Sequence, residues 1–357
     1  MTGSGPRIQT EFTYRGIDAV FMENEYLRIM VLPGKGGDIL EFRDKRRDVD
    51  VLWQTKHNWQ PPRDRYVPAE TNTTWNDHYP GGWQMNLPVA GGGMDIDGNA
   101  YGLHGESSLL PWEAEVRQDD DDAVVLGLTV ELVRYPFAVD RELTLPAGEA
   151  RLEIDESVTN LGGRSLEYIW QEHVALGRPL LGPDARLDLP AATGVNPPYD
   201  DAFPNARLEG DCTFEWPHAP GWDGGTVDLR EIPPTDAKIH DQSFATDLEA
   251  GWYALTNPTI DLGFALNWSL DPFECLWYWQ PFGGYHESPF FNRTYNVGLE
   301  PTTAYPGGDI PHAQRENGTM KSLEAGETVE ASLVAQTYTG FSAVNAVSSS
   351  GEIEGTD

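Results

Sequence analysis

Three short stretches put proton-transferring side chains where a flexible backbone can bring them to a ligand: "GLHGE" around His104, "WQEHVALG" around His173 and "GLEP" around Glu300. An imidazole titrates near neutral pH and can give or take a proton, and a carboxylate can accept one within hydrogen-bond reach. Gly102 and Gly105 beside His104 leave the main chain free to approach a bound molecule closely. Taken singly, each pattern is ordinary. A histidine among glycines more often sits in a turn or a satisfied core, and a glutamate before proline usually ends a strand.

These residues must be positioned by strands. Runs with period-two alternation or β-branched enrichment recur at Tyr26 to Leu32, Ala123 to Val133, Ala138 to Leu145, Arg151 to Thr159, Leu166 to Trp170, Gly263 to Leu270 and Val329 to Tyr338. Asp97-Gly98, Pro146-Ala-Gly148, Asn160-Leu-Gly-Gly163 and Leu323-Glu-Ala-Gly326 supply turn chemistry between them. Helical periodicity extends nowhere beyond about three turns, a common helix length. Many short antiparallel strands without crossover helices imply stacked sheets, so the fold class expected is all-β, a large antiparallel sandwich. A single domain over 1–345 is expected, with 346–357 a disordered tail. The interval from Pro179 to Ile239 has the weakest strand signal and is expected to wall or cover a cavity.

Composition narrows the partners. The formal net charge is −33, with 24 Lys and Arg against 57 Asp and Glu. Such a surface repels polyanions and argues against nucleic acid, while a small neutral ligand is compatible with it. Acidity spread along the chain, with five lysines among the cations, resembles cytoplasmic proteins of salt-loving archaea, where concentrated salt screens the self-repulsion. Two cysteines, Cys212 and Cys275, make no disulfide framework and no zinc ligand set. No apolar run approaches the roughly 18 residues of a membrane span, and the N-terminus lacks a signal-peptide core. A soluble, cytoplasmic protein without a membrane partner is expected; the sequence leaves the oligomeric state open.

In conjunction the three stretches resemble the aldose 1-epimerase (galactose mutarotase-like) family. His104-Gly105 matches an early His-Gly after an extended loop. "RELTLPAGEARLEIDESVTNLGGRSLEYIWQEH", Arg141 to His173, matches the middle region through Val158-Thr159-Asn160, and Glu300 matches the late glutamate. The likeness spans roughly residues 15 to 340. It implies the galactose mutarotase-like sandwich and an enzyme that interconverts the α and β anomers of a sugar. It also implies Glu300 as general base, His173 as general acid and His104 near the sugar ring oxygen. Removing the C1 hydroxyl proton while protonating the ring oxygen opens the ring; C1 turns, and closure on the other face reverses both transfers. That chemistry needs no cofactor and no metal.

The surroundings of both histidines depart from the common pattern. Asn99-Ala-Tyr-Gly-Leu precedes His104 where an Asn-His pair is usual, and Val-Ala-Leu-Gly177 follows His173. A non-catalytic carbohydrate-binding protein on the same fold is therefore the alternative, and a polysaccharide lyase or hydrolase a third reading. An aromatic face with amide groups is a common way to hold a sugar, which makes Trp83, Gln84, Asn86, Trp279 and Gln280 candidate substrate-binding residues. His286-Glu287 reads as an exposed loop pair. Asp95, Asp97, Asn99 and Glu106 fall at calcium-loop spacings, but Ala100 takes the glycine position and a hairpin turn is the better reading. Arg141, Arg178 and Arg293 are the cations that could converge on a phosphosugar.

Overall fold

The computed structural model describes residues 5–62, 72–96, 98–199, 203–305 and 310–357. Each strand run read from the sequence is a strand, with ends shifted by a few residues. Alternation decides which side chains go inward: in Phe137–Pro146 the odd positions are buried, and in Arg151–Asn160 the even ones. The two strands pair antiparallel through a turn in which Gly148 has φ 70°.

The chain is all-β, as two large antiparallel sheets. One has twelve strands and runs from Arg7–Tyr14 at one edge through Trp83–Asn86, Gln171–Leu176, Val297–Thr302, Cys275–Phe282 and Ile239–Leu248 to Cys212–Glu215. The other has eight strands, with Arg151–Asn160 between Thr328–Tyr338 and Phe137–Pro146. Their apolar faces meet in one core that takes Ile29, Phe42, Val174 and Leu299 from the larger sheet and Leu143, Ile154, Phe264 and Leu266 from the smaller. Phe42 and Phe264 touch edge to face across the layers, with centroids 5.4 Å apart.

That core also holds charge. Arg141 and Glu156 oppose each other on paired strands at 2.8 Å, and Glu172 of the larger sheet closes on the same guanidinium at 3.2 Å. Burial pushes both carboxyls upward, Glu172 adding to the shift of Glu156, while Arg141 opposes the shift of each. Arg141 is therefore committed to the interior and does not join Arg178 and Arg293.

One expectation is corrected. The C-terminal residues are ordered: Ala343–Val347 pairs with Ile353–Thr356. Val344 and Val347 pack on Trp252 and Tyr338, and the Gln336 amide donates to the Gly351 carbonyl. Polar composition suggested a tail, but the apolar valines alternate onto an existing cluster. The Pro179 to Ile239 interval contains short strands, among them Ala191–Asn196, which joins the larger sheet. Asp97 lies outside the described residues. Glu106 turns inward, its Oε1 accepting the Arg134 and Tyr135 N–H groups at 3.0 and 3.1 Å, away from any calcium-loop role. Two short α-helices, Asn72–Asp77 and Ile310–Glu316, and a 3-10 turn at Ser107–Leu109 are present among the described residues, and no helix there is long and apolar enough to cross a membrane.

Candidate functional site

The site lies on the face of the twelve-stranded sheet turned away from the core. In Gln171–Leu176 the side chains of Glu172 and Val174 point to the core, so Gln171, His173 and Ala175 point outward. In the paired strand Val297 and Leu299 go inward, leaving Gly298 and Glu300 outward. Val174 opposes Leu299, so His173 and Glu300 meet one step further along the same pair. His173 Nε2 lies 3.3 Å from Glu300 Oε1.

His104 reaches this pair from a loop. Its φ is +60°, and Gly105 follows at +71° with its Cα so close to the Leu87 carbonyl that a Cβ would stand 2.6 Å from that oxygen. Glycine is required at 105 for both reasons. The Gly91 N–H donates to His104 Nδ1 at 3.2 Å, and the His104 N–H donates to the Gly91 carbonyl at 3.1 Å. An accepting Nδ1 places the hydrogen of the neutral ring on Nε2. The two imidazoles stand 5.0 Å apart, centroid to centroid.

Burial controls all three titrations. It holds His104 well below the usual imidazole range, with His173 adding to the effect. It lowers His173 to about 3 and pushes the Glu300 carboxyl well above the usual carboxylate range. Gln171 donates to Glu300 Oε2 at 2.9 Å. The two protonation states favoured by burial, a carboxylic acid and a neutral imidazole, together hold one proton across a short contact.

Around them is a cavity of about 230 Å³ lined by His104, His173 and Glu300, with Trp75, Trp277, Trp279, Tyr285 and Phe290 among its walls. At ~30 Å³ per water this is the volume of roughly eight waters, the scale of one sugar ring. Trp75 packs 4.5 Å from the His104 ring and 5.5 Å from the His173 ring. Phe203 from the Pro179 to Ile239 interval also contributes to the wall, as do His240 and Gln242 just beyond it. The Trp279 indole donates to His240 Nε2 at 3.2 Å.

The sequence-derived candidates divide. His104, His173, Glu300 and Trp279 line one cavity. Trp83 does not: its indole points inward, donates to Glu172 Oε2 at 2.6 Å and lies under the Arg141 guanidinium. Gln84 is turned to Asp38 and the Gly81 carbonyl, and Gln280 to Arg207 and Ser243. Asn86 donates to Gln171 Oε1 at 2.9 Å and so stands behind Glu300. All four are fully buried hydrogen-bonding residues, whose types alone resemble those of a sugar pocket. His286 and Glu287 are exposed. Trp277 was missed although it sits two residues before Trp279 in one strand, so strand alternation puts it on the same face. Trp75 and Phe203 carry no comparable signal, because they come from a short helix and a loop.

The model of the family described as a domain of unknown function, DUF4432, matches residues 14–336. The chain belongs to the DUF4432 family. No curated protein matches this DUF4432 chain. Solved structures share its fold at low identity. A candidate aldose 1-epimerase from Klebsiella pneumoniae is 17% identical with a TM-score of 0.68, over 93% of this chain and 83% of that one. A galactose mutarotase-like protein from Clostridium acetobutylicum is 13% identical with a TM-score of 0.64, over 94% and 99%. Another, from Lactobacillus casei, is 15% identical with a TM-score of 0.59, over 90% and 100%. The DUF4432 chain is thus a galactose mutarotase-like sandwich, and the likeness extends to the fold.

Proposed function

We propose that this DUF4432 protein is an isomerase of the aldose 1-epimerase type, opening and reclosing the ring of a free sugar or simple sugar derivative without a cofactor. The observation that carries the reading is the 3.3 Å contact between Glu300 Oε1 and His173 Nε2 in a cavity of about 230 Å³ walled by aromatic rings. The C1 hydroxyl and the ring oxygen of an aldose are bonded to the same carbon, so the groups that serve them must be near neighbours.

In this reading Glu300 takes the C1 hydroxyl proton and His173 protonates the ring oxygen. Burial favours the carboxylic acid and the neutral imidazole. Transfer of the single proton across the contact gives the carboxylate and imidazolium from which ring opening starts. Hydrogen bonds from the sugar hydroxyl and the Gln171 amide to the carboxylate favour that transfer. Closure on the other face runs both steps backward, so the pair returns to its starting state. His104, neutral and with its hydrogen on Nε2, donates a hydrogen bond to the ring oxygen or a neighbouring hydroxyl. Trp75 and Trp279 give apolar faces for the sugar ring.

Polarimetry or NMR on freshly dissolved aldoses tests the proposal directly. Faster approach to anomeric equilibrium than in buffer, abolished by Glu300→Gln, is expected. No acceleration across a broad sugar panel, or an unchanged rate in Glu300→Gln, overturns it. Calorimetric sugar binding with no anomeric exchange would favour a binding protein instead.

A further inference from the structure

A second cavity, of about 790 Å³, opens at the end of the strands that carry His173 and Glu300. Leu176 pairs with Val297 at that end, and Arg178 and Tyr295, just beyond, line the opening. Lys56 and Arg293 join them from two other loops. His173 and Arg178 are five positions apart along this stretch, and the two cavities have no lining residue in common.

The charge of this cavity is opposite to that of the molecule. Its lining holds Arg43, Lys56, Arg178 and Arg293 against Asp48 and Asp50, in a chain of net charge −33. Many cations elsewhere are neutralised locally: Arg207 meets Asp241 at 2.8 Å, Arg186 meets Asp188 at 2.8 Å and Arg230 meets Asp228 at 2.6 Å. Arg43 follows that rule, with Asp48 at 3.0 Å. Among the described residues, Lys56 and Arg178 pair with no carboxylate, and Arg293 donates only to the carbonyls of Phe290 and Pro289. Asp50 is occupied as an acceptor of the Phe42 and Leu52 N–H groups, and burial pushes it up to about 6.

We propose that this cavity binds a small oxyanion-bearing ligand, a phosphate, sulfate or their monoester, held by Arg178 and Arg293 with Lys56 adding charge. Planar guanidinium groups match tetrahedral oxyanions in paired hydrogen bonds, and two or three unmatched cations concentrate an anion that the rest of the surface repels. The site has a physical link to the first cavity. Trp53 lines the oxyanion cavity and Phe290 the aromatic one, and their rings are in contact at 6.2 Å. Arg293 lies three residues after Phe290 in the same loop, so an occupant that draws on Arg293 also bears on that wall.

Calorimetric titration with inorganic phosphate, sulfate and a hexose monophosphate, each at ionic strength fixed with chloride, tests the site. Saturable binding of one equivalent is expected. Arg178→Gln and Arg293→Gln should each weaken it by about ten- to a hundredfold, the range for losing a charge-assisted hydrogen bond. Arg117→Gln, the same change of charge on the other sheet, should leave it intact. Tighter binding of the monoester than of phosphate, lost in Arg178→Gln and Arg293→Gln, identifies an organic ligand of this cavity; equal binding identifies the inorganic anion. Absence of saturable binding, or equal weakening by all three variants, overturns the proposal. Glu300→Gln should not alter the titration, which keeps this site independent of the epimerase reading.

Discussion

Gln171 holds Glu300 in place: its Nε2 donates to Glu300 Oε2 at 2.9 Å, while its Oε1 accepts from Asn86 Nδ2, also at 2.9 Å. The chain Asn86–Gln171–Glu300 crosses neighbouring strands on one face of the sheet. A donor to a carboxylate stabilises its ionised form, so the amide counters part of the burial that keeps Glu300 protonated. Gln171→Met removes that donor at similar size. The anomerisation rate is expected to fall about ten- to a hundredfold, with the limb of the pH–rate profile assigned to Glu300 moving to higher pH. A fall in rate without that displacement would assign Gln171 a merely structural part.

Gly298 governs the same carboxylate sterically. A Cβ at this position would collide with Glu300 Oε1 and stand 3.2 Å from the Trp279 Cβ. Gly298→Ala should therefore displace the carboxylate from His173, with a fall in rate of at least about tenfold because the geometry of proton transfer is lost. Thermal denaturation beside the rate measurement separates this from general damage. An unchanged rate would mean that Glu300 does not act from its observed position.

The pH dependence of stability follows from the same burial. His173 has its folded pKa lowered to about 3, so below the ordinary imidazole range the unfolded chain binds more protons at this position. Its contribution is complete above about pH 6.5 and is lost as pH falls toward 3. Glu300 is shifted the other way: its folded pKa is raised, so its contribution is complete below about pH 4.5 and is lost as pH rises toward the folded value. The two slopes oppose each other between about pH 4.5 and 6.5. Glu300→Gln should make the melting temperature rise more steeply with pH in that window, and His173→Gln should flatten it. Parallel curves for parent and variants would show that neither group is shifted.

The buried charge cluster on the core side of the same sheet leaves the fold sensitive to loss of one partner. Arg141 is fully buried and serves Glu156 and Glu172, and Glu172 also accepts the indole N–H groups of Trp83 and Trp170. Arg141→Leu leaves two buried carboxyls without their cation, and about 3–5 kcal/mol of stability should be lost. Chemical denaturation reads the loss. Replacing all three residues with apolar ones should recover much of it, since desolvation of the charges is then avoided.

How much of this was legible in the sequence depended on which sheet carried it. The smaller sheet shows clean alternation, as in Phe137–Pro146, and five of its eight strands are legible to within a few residues, while Glu113–Asp119, Arg186–Asp188 and Trp252–Asn257 are not. Apart from Tyr26 to Leu32, the larger sheet gives no such run in the sequence, and the candidate site is there. In Gln171–Leu176 all six positions are buried, on one face against the core and on the other beneath the aromatic loops. The polar triplet Gln171-Glu172-His173 then hides the strand from any apolar pattern. His104, His173 and Glu300 are proposed from family resemblance, not from periodicity. Trp83 and Gln280 failed as pocket candidates because a buried polar partner across the sheets, Glu172 or Arg207, is not visible in the local sequence.

The acidic surface makes a last prediction about salt. Exposed ion pairs such as Arg117 with Asp140 at 2.7 Å lose strength when screened, but 57 acidic residues face only 24 Lys and Arg, so like-charge repulsion outweighs attraction. Raising potassium chloride from about 0.1 M to 1 M shortens the screening length from ~10 Å to ~3 Å. Repulsion between separated carboxylates, as in the exposed turn Asp119 to Asp122, is then suppressed, while the contacts of the buried Arg141 cluster are barely affected. The melting temperature should rise by several degrees over that range, as the adaptation to concentrated salt inferred from composition requires. A melting temperature that stays level or falls would show that the net charge does not limit this fold, and would remove the basis for that inference.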